Sequence, residues 1–481
     1  MTALNPSTPT NPATLPSSWR AEFRGLFKLA APIVATQVAW VAMLTTDTAM
    51  IGHLGAEPLA GASLSLMVFF IGYIVCMGVT MSTAGLAAQA FGARQPRIVR
   101  RVIRQGLWVT ILLTAPFLVI FEHGDLILRW TGQPPETLPH AEAYMSTLMW
   151  CLPPAIAFTV LRNFVAALGR PMAALWVMLA GVPVNAALDY ALIFGNFGLP
   201  RLELVGAGIA TTAVNIIMML ALAAFIQWRR PFNKYQLFAR FWRPDWHIFR
   251  QIFRIGGPIA GITVMEAGFF IGAVFVIGQF GAVAIAAHMI AIQMPHITFM
   301  VPMGLAQAAT VRVGHAAGRR DATGAYRAGW SAIAVAGLFG AAMTGLVLAV
   351  PEPFARLFLD TARPDAAEVL PLAVSLLFVA AFFQLADGFQ AVAAGALRGL
   401  NDTAFPMVIA GVSYWGLGLG AAIWLAYGRG LETPGVWVGF VVGLTAAAVL
   451  QTWRFRHQQR RRFLPEIIKE EGGKAVATAA P

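Results

Sequence analysis

Residues 29–52 read LAAPIVATQVAWVAMLTTDTAMIG, a stretch whose only charged side chain is Asp47. A run of about 18 or more apolar residues is long enough to cross the hydrocarbon of a bilayer as a helix. Runs of this kind recur along all 481 residues, which are 58% apolar and only 12% charged. No soluble domain of this length tolerates that balance. Twelve spans are expected, near 26–52, 60–91, 104–121, 143–168, 172–195, 205–227, 250–278, 283–311, 327–350, 367–397, 404–426 and 433–453. The chain therefore reads as an all-α integral membrane protein.

Asp47 is one of four acids set deep in apolar stretches; the others are Asp189, Glu266 and Asp387. Each costs about 2.5–3.5 kcal/mol at the centre of an isolated membrane helix, so four cost roughly 10–14 kcal/mol. A chain that keeps such residues normally points them into a watery or ion-binding path between helices. All four are of one sign, which implies protons, sodium or organic cations as passengers. The same sequence lacks a GxSxG elbow, an HExxH pair and a phosphate-binding loop, so no enzyme chemistry and no cofactor is expected. Transport would have to draw on an H⁺ or Na⁺ gradient.

The net charge of +12 does not describe a nucleic-acid footprint once its distribution is followed. If the N-terminus is cytoplasmic, 29 of the 34 basic residues fall on the inside, and only Arg129, Arg201, Arg356, Arg363 and Arg429 fall outside. That bias predicts both termini in the cytoplasm and a multi-pass protein of the bacterial inner membrane, its basic loops touching lipid headgroups. The polar first 20 residues carry no apolar core, so no cleaved signal is expected. Cys76 and Cys151 sit within apolar segments and read as small buried hydrophobes.

An internal repeat sets the architecture. Ala31-Pro32-Ile33 aligns with Gly257-Pro258-Ile259 at an offset of 226 residues, as do Ile51-Gly52 with Ile277-Gly278 and Met77-Gly78 with Met303-Gly304. Each half holds six spans, an even number, so both enter from the same side. Two six-helix bundles related by a pseudo-two-fold axis along the membrane normal follow from this. The expected layout is a polar cytoplasmic tail (1–24), an N-terminal bundle (25–228), a cytoplasmic linker (229–249), a C-terminal bundle (250–455) and a basic tail (456–481). The acids break the symmetry: Asp47 aligns with Ala273, and Glu266 with Trp40.

Leu29-Ala30-Ala31-Pro32, Thr46-Asp47-Thr48 with Gly52 beyond, and Ala396-Leu397-Arg398-Gly399-Leu400-Asn401-Asp402-Thr403 resemble motifs of the multidrug and toxic-compound extrusion (MATE) transporters, in particular their NorM-like bacterial branch. The resemblance covers residues 25 to 455. It implies export of organic cations and amphiphilic drugs, driven by inward H⁺ or Na⁺, by rocking between outward- and inward-facing states. Asp47 and the Asn185/Asp189 pair match residues that the family uses for cation coupling. Glu266 and Asp387 match acids of the NorM-like C-terminal bundle. Phe383 stands where some sodium-coupled relatives carry a tyrosine, and it cannot ligate an ion.

The residues themselves sharpen these expectations. Asn185 and Asp189 are one turn apart on one helical face, at a depth that Asp47 shares. Together with a hydroxyl from Thr211 or Thr212 they would form an oxygen cage for Na⁺ or a proton-sharing pair. Pro32 lies in the inner half of the first span, where it would act as a hinge. Met43, Phe269, Met289, Met294, Phe299 and Phe382 are candidates for an adaptable drug surface. Asp402 is expected to pair with Arg398. A flippase for lipid-linked oligosaccharides is the alternative, and its pyrophosphate would call for several Arg or Lys in the cavity. The protein is expected to act as a monomer.

Overall fold

The computed structural model describes residues 19–130, 134–239, 241–242, 244–359 and 366–465. The tails beyond them, with Lys469 and Lys474, lie outside the described residues, as do Arg240, Arg243 and Arg363. Twelve described helices are long and apolar enough to cross a membrane: Trp19–Gly52, Ala56–Gly92, Pro96–Glu122, Leu138–Ala167, Met172–Phe194, Glu203–Trp228, Trp246–Gly278, Ala282–Gly318, Ala322–Ala349, Ala366–Gly399, Ala404–Gly428 and Glu432–Arg460. They are spans 1 to 12 below, six to each lobe. Several outrun the apolar windows, because a helix whose backbone is already paired continues past the hydrocarbon. Span 1 gains a polar first turn this way, and that turn holds Glu22.

Three spans are interrupted, each at a residue that explains the break. Span 4 passes through a single tight turn at Met149–Cys151, just before Pro153 and Pro154. Span 8 divides at Phe299 into Ala282–Thr298 and Met300–Gly318, with Pro295 one turn upstream removing a backbone donor. Span 11 widens to π-helical geometry over Val412–Gly418 and Trp424–Gly428. Such bulges concentrate at functional sites. Span 1 stays helical through Pro32, whose carbonyl accepts the Thr36 hydroxyl at 2.8 Å.

The repeat is visible as reciprocal contacts. Gly78 packs against the backbone of Ala260, and Gly304 packs against the backbone of Val34; each residue of the first pair lies 226 positions from its counterpart in the second. Gly92 meets His315 as Gly318 meets Gln89, again at that offset. A two-fold relation demands this pattern, in which each surface meets the copy of its own partner. Left-handed Arg94 and Arg320 repeat it in the backbone, with φ of 58° and 62°.

These contacts, and the hydrogen bonds that accompany them, run from mid-membrane to the side bearing the termini. Glu22 receives two hydrogen bonds from Arg312, at 2.8 and 2.7 Å. Gln89 donates to the Gly399 carbonyl and accepts from Asn401, both at 2.8 Å. His315 Nε2 lies 2.6 Å from the Ala167 carbonyl, and Ser82 donates to Ile252 at 3.2 Å. Span 8 shows the contrast within one helix. Its Met300–Gly318 half packs on spans 1 and 2 of the other lobe, whereas Ala282–Thr298 packs within its own. The lobes are thus sealed on the terminus side and splayed on the far side.

The connection between lobes is less polar than its sequence suggests. Phe232 and Leu237 are buried, and Phe232 packs with its ring tilted against Phe164 and Phe225. The expected Asp402–Arg398 pair does not form. The left-handed turn at Asn401, with φ of 57°, aims Asp402 at span 12, where Arg454 and Gln458 donate to it at 2.8 and 2.7 Å.

Candidate functional site

In the first lobe the helices bring three of the expected polar residues to one point. Asn185 and Asp189 occupy one face of span 5, and the Asn185 amide donates to Asp189 at 2.6 Å and also to Asp47 of span 1. The one amide thus bridges the two carboxyl groups. Thr211 of span 6 completes the group, its hydroxyl 3.4 Å from Asp47. All three acid and amide side chains are buried, Asn185 and Asp189 completely. The Asn185 amide oxygen and one Asp189 oxygen have no hydrogen-bond partner. Unpaired buried acceptors beside two carboxyls are what a proton or a hard cation would satisfy.

Thr212 does not join them. Its hydroxyl bonds the Thr147 carbonyl at 2.9 Å, because adjacent helical residues point about 100° apart and Thr212 faces span 4.

Asp47 and Thr211 open onto a chamber of about 260 Å³. Its wall is aromatic: Trp40 stacks on Tyr73 with ring centres 6.4 Å apart, and Phe70 meets Trp40 edge-on. Such faces attract organic cations. Toward the membrane centre the lining turns polar, with Gln37 and Arg162, and Met303 of the other lobe closes it. Gln37 links the lobes here, its amide 3.1 Å from the Met303 sulfur.

The second lobe holds a separate acid cluster. Gln390, one turn beyond Asp387 on span 10, donates to Glu266 of span 7 at 3.2 Å. Asp387 is buried, and one of its oxygens has no partner. Tyr414 lies within electrostatic reach of both acids and is carried on the π-helical turn of span 11. Phe383 belongs to the aromatic core, edge-on to Phe270 and Trp437. Arg398 acts electrostatically on Glu266, a cation that sequence proximity does not reveal.

The expected drug surface needs correction. Of its six residues only Met43 lines the chamber. Phe269 is fully buried, stacked on Tyr414 with centres 5.6 Å apart, and is core. Met294 packs on the same core. Phe299 borders a small recess beside Asp387. Met289 and Phe382 stay exposed on the lobe surface. The physical reason is shared: these residues belong to the second lobe, whereas the chamber is hollowed from the first. Tyr73, Gln37, Arg162, Gln390 and Tyr414 were not singled out in sequence as site residues. Only Gln390 had a signal, its helical spacing from Asp387.

The MatE family model matches residues 32–191 and again 258–424, one match per lobe. A protein of Bradyrhizobium diazoefficiens called "Probable multidrug resistance protein NorM" is 42% identical over 440 residues, covering 92% of this chain and 94% of its own. Its namesake from Rhodopseudomonas palustris is 44% identical over 444 residues, with the same coverage. Among solved structures, one described as the outward-facing conformation of a multidrug resistance MATE family transporter of the MOP superfamily superposes with a TM-score of 0.83. It is 20% identical and covers 92% of this chain and 96% of its own, a likeness of fold.

Proposed function

Because the chain belongs to the MatE family, we propose that it exports organic cations and amphiphilic drugs in exchange for H⁺ or Na⁺ by alternating access. It is a multi-pass membrane transporter and not an enzyme. The observation that carries the exchange is the Asp47–Asn185–Asp189 cluster opening on an aromatic chamber. A coupling ion at the cluster and a cationic drug in the chamber would compete for the same negative charge. Binding one then weakens the other, which is what an exchanger requires. The positive-inside bias supports a sealed side in the cytoplasm of a bacterial inner membrane and a chamber facing outward. Pro32 would serve as the bend that reshapes span 1 between states, in a protein acting as a monomer among lipids.

Everted membrane vesicles test this reading. A cationic dye should accumulate inside them when a pH gradient or a Na⁺ gradient is imposed; accumulation under neither would overturn the exchange. A flippase for pyrophosphate-linked lipids finds little support. Among the described lining residues Arg162 is the one basic side chain, and it shares the chamber with Asp47.

The second cluster supplies a proton-linked contribution, since Phe383 withdraws an oxygen ligand that Na⁺ would use. Cation binding to carboxylates competes with protonation, so dye affinity should rise with pH between about 5 and 9. Glu266→Gln and Asp387→Asn should each lessen that rise, the remainder coming from Asp47 and Asp189, measured by dye fluorescence in detergent. Three superimposable curves would make the second cluster structural.

A further inference from the structure

Arg162 is an expensive residue without an ionic explanation. It lies in the inner third of span 4 and borders the chamber. One amino group donates to the Gln37 amide oxygen at 2.9 Å, while its Nε is buried with no partner. Two other arginines of this molecule, by contrast, are matched to acids: Arg312 grips Glu22 with two bonds, and Arg454 holds Asp402 at 2.8 Å. No carboxylate among the described residues pairs with Arg162. A guanidinium presents five donors in a planar fork, and that fork suits a carboxylate. A single neutral amide leaves most of it unanswered.

The placement of the opposite charge matters equally. Gln37, beside Arg162, and Asp47 are ten residues apart on one helix, about 15 Å along its axis. The reach of the arginine side chain shortens the gap. The chamber is therefore dipolar, anionic at its outer end and cationic at its floor, with an aromatic wall between.

We propose that Arg162 is a carboxylate-binding subsite and makes the chamber selective for zwitterionic amphiphiles. The cationic group of such a molecule lies on the aromatic wall below Asp47, and its carboxylate engages the Arg162 fork. A purely cationic ligand of the same size forfeits the second contact and faces the unpaired guanidinium. This inference rests on the drug-chamber reading above.

The test uses two rhodamine dyes sharing one cationic ring system, one with its free carboxylate and the other as the ethyl ester. Affinities for both are measured by fluorescence polarisation on the purified full-length protein, on Arg162→Gln and on Arg162→Lys. The parent should favour the carboxylate dye. Arg162→Gln should reduce the carboxylate-to-ester affinity ratio by at least about tenfold, the worth of a charge-assisted hydrogen-bond pair. Arg162→Lys keeps the charge without the fork and should fall between. A ratio that survives Arg162→Gln within about twofold, with both dyes bound, overturns this inference alone. If the parent binds neither dye, the drug-chamber reading falls and this subsite with it. Should Arg162→Gln fail to fold, the Arg162→Lys ratio decides, and parity with the parent overturns the proposal.

Discussion

Asp47→Asn should leave a protein that binds dye and no longer pumps it. The substitution is nearly isosteric and keeps a partner for Asn185 and Thr211, so the packing of spans 1, 5 and 6 survives. What it removes is the titratable charge at the point where the proposed coupling cluster meets the chamber. Without that charge the ion gradient has no differential affinity to act on, and a ligand cannot shift an equilibrium it does not distinguish. In vesicles under the driving gradient, the dye concentration ratio should relax to about one, while a weakly charged dye still binds. Retained uphill transport would falsify the role of Asp47. Loss of binding as well would instead mark Asp47 as a residue that holds the chamber together.

Gly78→Val attacks the other requirement, the seal. Gly78 lets span 2 lie against the backbone of Ala260 in span 7, and a β-carbon there would collide with main chain, which cannot swing aside. Overpacking of this kind costs about 1–3 kcal/mol. Set against a conformational balance, that is a shift of roughly 5- to 150-fold toward the state in which the seam parts. Ala88, completely buried on that seam, reports the change: Ala88→Cys, with Cys76 and Cys151 replaced by serine, should become reactive to an impermeant reagent from the cytoplasmic side. Gln236→Cys in the linker marks that side independently. Gly304→Val, the symmetry mate, should act alike. If Ala88→Cys stays protected while transport is normal, the seam tolerates a side chain and does not gate access.

How much of this was legible beforehand depends on range. The spans were, because hydropathy is a local property and lipid enforces it. The Asp47–Asn185–Asp189 meeting was legible too, since one-turn spacing and equal depth leave few other arrangements. Thr212 and Phe269 failed for a common reason: azimuth around a helix decides whether a residue faces a cavity or a neighbour, and hydropathy is blind to azimuth in a helix apolar all round. Tyr414 was invisible for a sharper reason. The π-helical turn that carries it changes the angular step per residue, so no regular periodicity would have aimed it at Glu266 and Asp387. Arg398 was misassigned because the left-handed turn at Asn401 reversed the expected neighbourhood of Asp402.

The two acid clusters lie in different lobes and share no bridging residue among their hydrogen-bond partners. In the exchange proposed above, each would load its own monovalent ion. A cycle that imports two such ions while exporting one singly charged drug moves one net positive charge inward. Membrane voltage then becomes a fuel alongside the chemical gradient, contributing about 2.3 kcal/mol per charge for each 100 mV. A tenfold ion gradient contributes about 1.4 kcal/mol per ion. On that stoichiometry, dividing the acids between lobes would tie extrusion to the electrical state of the cell: depolarisation would weaken it and leave the ion gradient as its sole drive.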